Sequence, residues 1–301
     1  MPDPPKVHRL TWGNYDMEFG RRTCIMGVVN VTPDSFSDGG KFFAPDAAVT
    51  LGEKLAADGA DILDIGGEST RPFSDPVPAA AEMERVIPVI EKLAERLSIP
   101  ISIDTMKAEV ARRAIEAGAA MINDISALRF DPDMAGVAKA FDTPVVLMHM
   151  LGSPKTMQAS PSYDNLIADI LDFLRDAIAR AENQGISKSK LIVDPGIGFG
   201  KTVSHNLLLI RHLQSFASLE VPILVGPSRK AFIRKLLKDA PSEDIQPDLP
   251  IVEIGTQAAV CAAVLYGAHI VRVHDVANTR ATLRILDAMK AAQDNERLPQ
   301  K

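Results

Sequence analysis

Cysteine is scarce, with Cys24 and Cys261 the two examples in 301 residues, which excludes a small scaffold stapled by disulfides. The two lie far apart, each inside an apolar segment, and read as reduced, buried thiols. No Cys-x-x-Cys or His-Glu-x-x-His spacing occurs, so the ligand patterns of zinc sites are missing. Positive charge is not in excess: 33 Lys and Arg stand against 39 Asp and Glu, a net charge of −6. That balance lacks the basic face of a nucleic-acid binder, although a locally basic pocket for an anion remains compatible with it. No apolar run approaches the roughly 20 residues of a membrane span. The opening Met1-Pro2-Asp3-Pro4-Pro5-Lys6 has no hydrophobic stretch of the kind a secretory signal needs. The expectation is a cytoplasmic globular protein, 46% hydrophobic and 24% charged, long enough to bury a large core.

What is present is a repeating pattern. Residues 8–19 alternate around Gly13-Asn14 and predict a short β-hairpin. From residue 24 onward, short β-branched runs alternate with amphipathic stretches. The runs are 24–31, 61–65, 100–104, 120–125, 144–150, 191–194, 222–225 and 268–273. Several are almost continuously apolar, as strands covered on both faces are. Helices are predicted at 45–58, 80–97, 107–117, 134–141, 165–184, 204–215, 230–238 and 255–266. Eight β-then-α units predict a (β/α)₈ TIM barrel. The competing doubly wound sheet lacks its Gly-x-Gly-x-x-Gly after the first strand. The expected organisation is an N-terminal hairpin segment (1–23), a barrel (24–290) and a polar tail (291–301).

In a barrel of this kind the active site lies at the C-terminal ends of the strands. Those ends carry Asn30, Gly66-Gly67-Glu68-Ser69-Thr70-Arg71-Pro72, Asp104, Asn123-Asp124, Met148-His149-Met150, Asp194-Pro195-Gly196, Ser228-Arg229-Lys230 and Arg272-Val273-His274-Asp275. One such acid could be a helix cap or a structural hydrogen bond; agreement among eight strand ends is harder to explain that way. Arg71, Lys230, Arg272 and His274 form a cationic group suited to phosphate. Asp104, Asn123 and Asp194 form an acceptor group suited to a flat heterocycle that presents N–H donors. Asn30 offers a carbonyl oxygen to a hard cation such as Mg²⁺, which completes its shell with phosphate and water. The rim therefore reads as a site for a phosphorylated nitrogen heterocycle. Bland readings accompany it: His149 as a packing residue, His205 and His212 as surface residues, Lys201 as a solvated loop lysine, and Asp64 and Glu68 as holders of the second loop. Asp124 follows Asn123 in a strand and points the other way.

The strings Asn30-Val31-Thr32-Pro33-Asp34-Ser35-Phe36-Ser37-Asp38-Gly39-Gly40 and Gly66-Gly67-Glu68-Ser69-Thr70-Arg71-Pro72 resemble dihydropteroate synthase. So do Asp194 through Lys201, Ser228-Arg229-Lys230 and Arg272-Val273-His274. The resemblance runs from about residue 24 to about residue 288. It implies a transferase that joins a dihydropterin pyrophosphate to p-aminobenzoate and releases pyrophosphate, with Mg²⁺ as cofactor. It implies Asp104, Lys230, Arg272 and His274 as the catalytic residues. Asp104, Asn123, Asp194, Lys230 and Met148 would bind the pterin; Asn30, Arg71, Arg272 and His274 the pyrophosphate; and Asn30 the metal. Residues 32–38 would close over the pyrophosphate, and Thr70, Pro72, Phe36, Phe199 and Ser228 would help form the p-aminobenzoate site. A homodimer through barrel helices and inhibition by sulfonamides are implied as well. Phe73 departs from the family, many of whose members carry glycine after the Arg-Pro pair, and this implies a different path for the second loop and altered sulfonamide binding. A pterin-dependent methyltransferase would share the acceptor group without needing the cationic one, and a pterin-binding scaffold would need no turnover.

Overall fold

A computed structural model describes residues 6–32, 45–70, 74–238, 240 and 245–292. The chain opens with β1 (His8–Trp12) and β2 (Tyr15–Phe19), paired antiparallel with His8 opposite Phe19 and Trp12 opposite Tyr15. Alternation along the hairpin puts Leu10, Trp12 and Phe19 on one buried face.

Eight parallel strands follow: β3 (Cys24–Asn30), β4 (Ile62–Gly66), β5 (Ile101–Asp104), β6 (Met121–Asp124), β7 (Val145–Met148), β8 (Leu191–Asp194), β9 (Leu224–Val225) and β10 (Ile270–Val273). Their order is β8-β7-β6-β5-β4-β3-β10-β9. A parallel bridge between Val193 and Ile223 joins the two ends of that sheet, so the barrel closes. The helices between strands are α1 (Pro45–Ala57), α2 (Ala79–Arg96), α3 (Ala108–Glu116), α4 (Met134–Ala140), α5 (Leu166–Asn183), α6 (Val203–Arg211), α7 (Ala231–Leu237), α8 (Pro250–Leu265) and α9 (Val276–Ala291). None of them is long and apolar enough to cross a membrane.

The strands sort their side chains into two cores. Ile25, Val29, Leu63, Ile65, Ile103 and Ile122 point outward and pack under the helices. Met26, Ile62, Met121, Val146, Ile192, Leu224 and Ile270 point inward, where Leu10, Trp12 and Phe19 of the hairpin pack against them. The hairpin thus plugs the N-terminal end of the barrel and leaves the other end to the site. Fully burying side chains of this size contributes on the order of 2 kcal/mol each. Close packing also fixes some turns: a β-carbon at Gly118, where φ is 113°, would lie 2.5 Å from that of Ala94.

Some expectations change. Helix α8 begins at Pro250, five residues before the expected start, because proline at the first helical position satisfies the helix entry. The two helices expected after the seventh strand are present as α7 and α8, whereas α9 is not among the predicted helices. Asp275, read from sequence with the rim residues, caps α9 by accepting from the Asn278 amide at 3.0 Å. The helix runs through Lys290, which pairs with Asp287, to Ala291; of the expected tail, 293–301 lie outside the described residues. Finally, Cys24 is buried and Cys261 half-buried, and both are free thiols.

Candidate active site

The inward side chains of a strand recur every second residue. Two positions beyond the inner core therefore lie the inward residues of the barrel mouth: Asp64 after Ile62, Asn123 after Met121, Met148 after Val146, Asp194 after Ile192 and Arg272 after Ile270. Asp104 follows Ser102, whose Cα pairs with Asp64. Polar residues at the far end of otherwise apolar strands can only meet at this mouth.

They do meet. Arg272 donates through Nε to Asp64 at 2.6 Å and through Nη2 to Asp104 at 2.8 Å. Asn123 donates its Nδ2 proton to the same Asp64 oxygen at 2.9 Å. Asp194 accepts from the Gly196 amide at 2.7 Å. Lys230 stands at the N-terminus of α7, after Arg229 at a left-handed φ of 59° whose amide donates to Thr256. That bend, uncommon for a residue with a side chain, presents Lys230 with its Nζ 4.1 Å from the centre of the Phe199 ring. The ring belongs to an apolar wall with Ile125, Met148, Met150 and Met157. Above Arg272 on β10, His274 Nδ1 lies 2.9 Å from the Ser228 hydroxyl, and the His274 amide donates to the same oxygen at 3.3 Å.

Burial sets the electrostatics. It pushes the Asp104 carboxyl up to about 7, against the pull of Arg272, and Asp194 up to about 6, against the Gly196 hydrogen bond. Lys230 is pushed down to about 8 by burial and by Arg272. Burial also opposes the charge of Arg272, but Asp64 and Asp104 hold its pKa above the ordinary value. Cations and carboxylates are interleaved rather than segregated, which separates the observed mouth from the two-group picture read from sequence.

Of the expected site residues, Asp104, Asn123, Asp194, Lys230 and Arg272 converge at the mouth, with Met148 and Phe199 forming a wall beside Lys230 and the Ser228–His274 pair above. Asn30 ends β3 half-buried beside Gly66. Thr70 is half-buried after β4. Phe36, Arg71 and Pro72, the 32–38 segment beyond Thr32, and Phe73 lie outside the described residues. Glu68 holds the second loop as expected, accepting from the Val77 amide at 3.0 Å and pairing with Lys107. Asp64 does not hold that loop: it is fully buried beneath the mouth and anchors Arg272 and Asn123. Asp124 caps its own turn through the Ser126 and Leu128 amides. His149 is buried edge-on to Phe173, and His205 helps cap α6 while meeting Tyr163.

Lys201 is the clearest reversal. It is 4% exposed, not solvated, and donates to the Phe199 carbonyl at 2.9 Å beside His149 Nδ1 at 3.0 Å. The sequence signal that could have found Asp64 is its period-two spacing from Ile62. Lys201 had none, because its side-chain partner, His149, comes from another segment.

Among the described residues no group of three or more His, Cys, Asp or Glu could hold a metal. The chain's own contribution to a hard cation would be Asn30, which fits an ion such as Mg²⁺ held mainly by phosphate and water. As a whole, the mouth can accept hydrogen bonds from a flat N–H-bearing ring on one side and take an anion on the other.

Comparison with known proteins gives the same direction. Residues 26–274 match the family described as pterin binding enzyme. The chain is 45% identical over 280 residues to the dihydropteroate synthase of Synechocystis sp., covering 93% of this chain and 94% of that protein. It superposes with a TM-score of 0.87 and 44% identity on Xanthomonas albilineans dihydropteroate synthase with 4-aminobenzoic acid, over 96% of this chain and 100% of that one. A Yersinia pestis dihydropteroate synthase in a sulfonamide drug complex gives 0.87 at 42% identity, over 95% and 100%.

Proposed function

This chain belongs to the dihydropteroate synthase family of pterin-binding enzymes, and on that premise we propose how its residues condense a dihydropterin pyrophosphate with p-aminobenzoate. Asp104 and Asp194 accept hydrogen bonds from the N–H edge of the pterin. Asn123, with its amide N–H side committed to Asp64, offers its oxygen to the same edge. Lys230 reaches the ring from above Phe199, and Met148 lines the pocket floor. Arg71, Arg272 and His274 hold the pyrophosphate, with Asn30.

The carbon–oxygen bond between methylene and pyrophosphate then breaks, and its electron pair leaves on the bridging oxygen. Arg272 and His274 stabilise the charge that develops there, where fixed donors in a water-poor site act most strongly. The dihydropterin delocalises the positive charge left on the methylene, and the Asp104 carboxylate stabilises it. The lone pair of the neutral aryl amine forms the new carbon–nitrogen bond, and the amine proton passes to solvent. No enzyme nucleophile is required, so Ser228 is a binding and orienting group. Asn30 would help hold Mg²⁺, which would supply further neutralisation of the leaving group. Thr70, Pro72, Phe36, Phe199 and Ser228 receive p-aminobenzoate, and a sulfonamide would compete there as its mimic.

The observation that carries this reading is the bridge of Arg272 between Asp64 and Asp104, which seats a cation for the leaving group against an acceptor for the ring. A methyltransferase would have no use for that cation. The test is product formation: purified protein with both substrates and Mg²⁺ should yield one dihydropteroate per pyrophosphate, and folded protein that yields neither would overturn it.

A homodimer built on the outer helices belongs to the same proposal. Leu207, Leu236, Leu249, Ile251 and Ile254 are exposed there, and α6, α7 and α8 enclose an apolar groove of about 440 Å³ lined by Phe232, Leu236, Ala259 and Tyr266. Apolar patches of this kind mark association surfaces. A cytoplasmic location accords with two unpaired cysteines.

A further inference from the structure

The segment after β8 is held by side chains from outside it. The carbonyls of three consecutive residues, Gly198, Phe199 and Gly200, accept from Gln158 at 2.7 Å, Lys201 at 2.9 Å and Tyr163 at 2.8 Å. The Gly198 amide donates to Asn206 at 2.7 Å. Of these partners, Lys201 alone carries a charge, and it does so in a buried setting where an ammonium is costly unless it is put to use. Its placement is tight. At Gly196, with φ at 74°, a β-carbon would lie 1.9 Å from the His149 carbonyl oxygen and 3.4 Å from Lys201 Nζ. The Gly196 amide is the one that donates to Asp194. The ammonium therefore sits against the Asp194–Gly196 turn.

Building on the pterin-pocket reading, we propose that Lys201 is a positioning residue of the pterin site, tying the 194–200 segment to the end of β7 and keeping the Asp194 carboxylate available as an acceptor.

The groups facing it agree with this role. His149 at the end of β7 is driven down to about 2 by burial and by Lys201, so it stays neutral and accepts the lysine proton at Nδ1. Asp194 at the end of β8 attracts the ammonium and Lys230 at the start of α7 repels it. His205 on α6 feels its charge, and Arg129 adds to the positive field that lowers His149. Burial brings Lys201 down to about 7, above Asp194 at about 6, so the ammonium is the major form at the midpoint of the Asp194 titration. A cation behind a carboxylate favours the ionised form, and the N–H edge of a pterin needs that form. The Phe199 carbonyl bond adds a second effect, since the Phe199 ring lies under Lys230.

The test is the pH dependence of 6-hydroxymethylpterin binding, read by its fluorescence, for wild type, Lys201→Met, Lys201→Gln and His149→Gln. In both Lys201 variants affinity should fall about fivefold at pH 6 and about twofold at pH 7, because the acid limb should move upward by about one pH unit, the direction set by removing a nearby cation. His149→Gln keeps the charge and should leave the limb in place. A role in folding alone would not move the limb. Wild-type affinity with an unmoved limb in Lys201→Met overturns the proposal while sparing the pterin reading, and so does failure of both Lys201 variants to fold. A wild type that binds no pterin overturns the pocket reading, and this proposal with it.

Discussion

Arg272 and Asp64 share a hydrogen bond of 2.6 Å at the base of the barrel mouth, with the Asp64 side chain wholly enclosed and that of Arg272 about one-fifth exposed. Removing one partner of such a pair strands the other. Breaking a buried ion pair costs on the order of 3–5 kcal/mol, somewhat less where a neutral hydrogen-bonding group remains. Asp64→Asn should therefore lower the unfolding free energy by about 2 kcal/mol, read from the denaturant midpoint, and should loosen both Arg272 and Asn123. An unchanged midpoint would show that Asp64 is not the anchor.

Stability and activity should run in opposite directions as the solution is acidified. The carboxyls of Asp104 and Asp194 are raised in the folded state, to about 7 and about 6. Their stabilising contribution is then fully present below the unfolded carboxylate value near 4 and lost as pH rises through about 6 to 7. Ligand binding needs the ionised acceptors, so kcat/KM for the pterin substrate should fall as pH drops through the same window. A kcat/KM profile flat from pH 5 to pH 8 would contradict this.

Phe199 contributes its ring to the Lys230 contact at 4.1 Å. Cation–π contacts with a desolvated lysine contribute about 2 kcal/mol. Phe199→Leu should keep the wall apolar yet raise KM for both substrates roughly tenfold to thirtyfold, with a smaller change in kcat. Steady-state kinetics with each substrate varied in turn would check it.

The Ser228 hydroxyl is oriented by its neighbours. It accepts from the His274 amide and lies 2.9 Å from His274 Nδ1, to which we assign its proton. That arrangement places the imidazole N–H at Nε2. Ser228→Ala should reduce kcat about tenfold, the scale of one misdirected donor, and nitrogen NMR of His274 should show a mixed tautomer. A single Nε2–H tautomer in the variant would remove Ser228 from this role.

Much of this is legible in the sequence. The strands announce themselves because their two-sided burial demands continuous runs such as Leu191-Ile192-Val193, and Asp194 at the end of that run marks the mouth. The hairpin was legible through its alternation and Gly13-Asn14. What escaped has physical causes. Helix α9 follows directly on the Arg272-Val273-His274 motif, and Asp275 looked like one more rim acid rather than a cap. Asp64 lies inside an apolar strand, and the partner that explains its burial, Arg272, is 208 positions away. Lys201 follows a glycine-rich turn, which favours exposure; His149, the partner from outside its own turn, comes from a different strand end.

Asp104 pairs with Arg272 at 2.8 Å, and in the proposed mechanism it also accepts from the pterin. The most direct measurement is the rate of dihydropteroate synthesis by Asp104→Asn at saturating substrates and Mg²⁺, with the fold checked by circular dichroism. Loss of one preorganised electrostatic group predicts a fall in kcat of roughly a hundredfold or more in a variant that remains folded. A folded Asp104→Asn enzyme turning over at the wild-type rate would contradict the account.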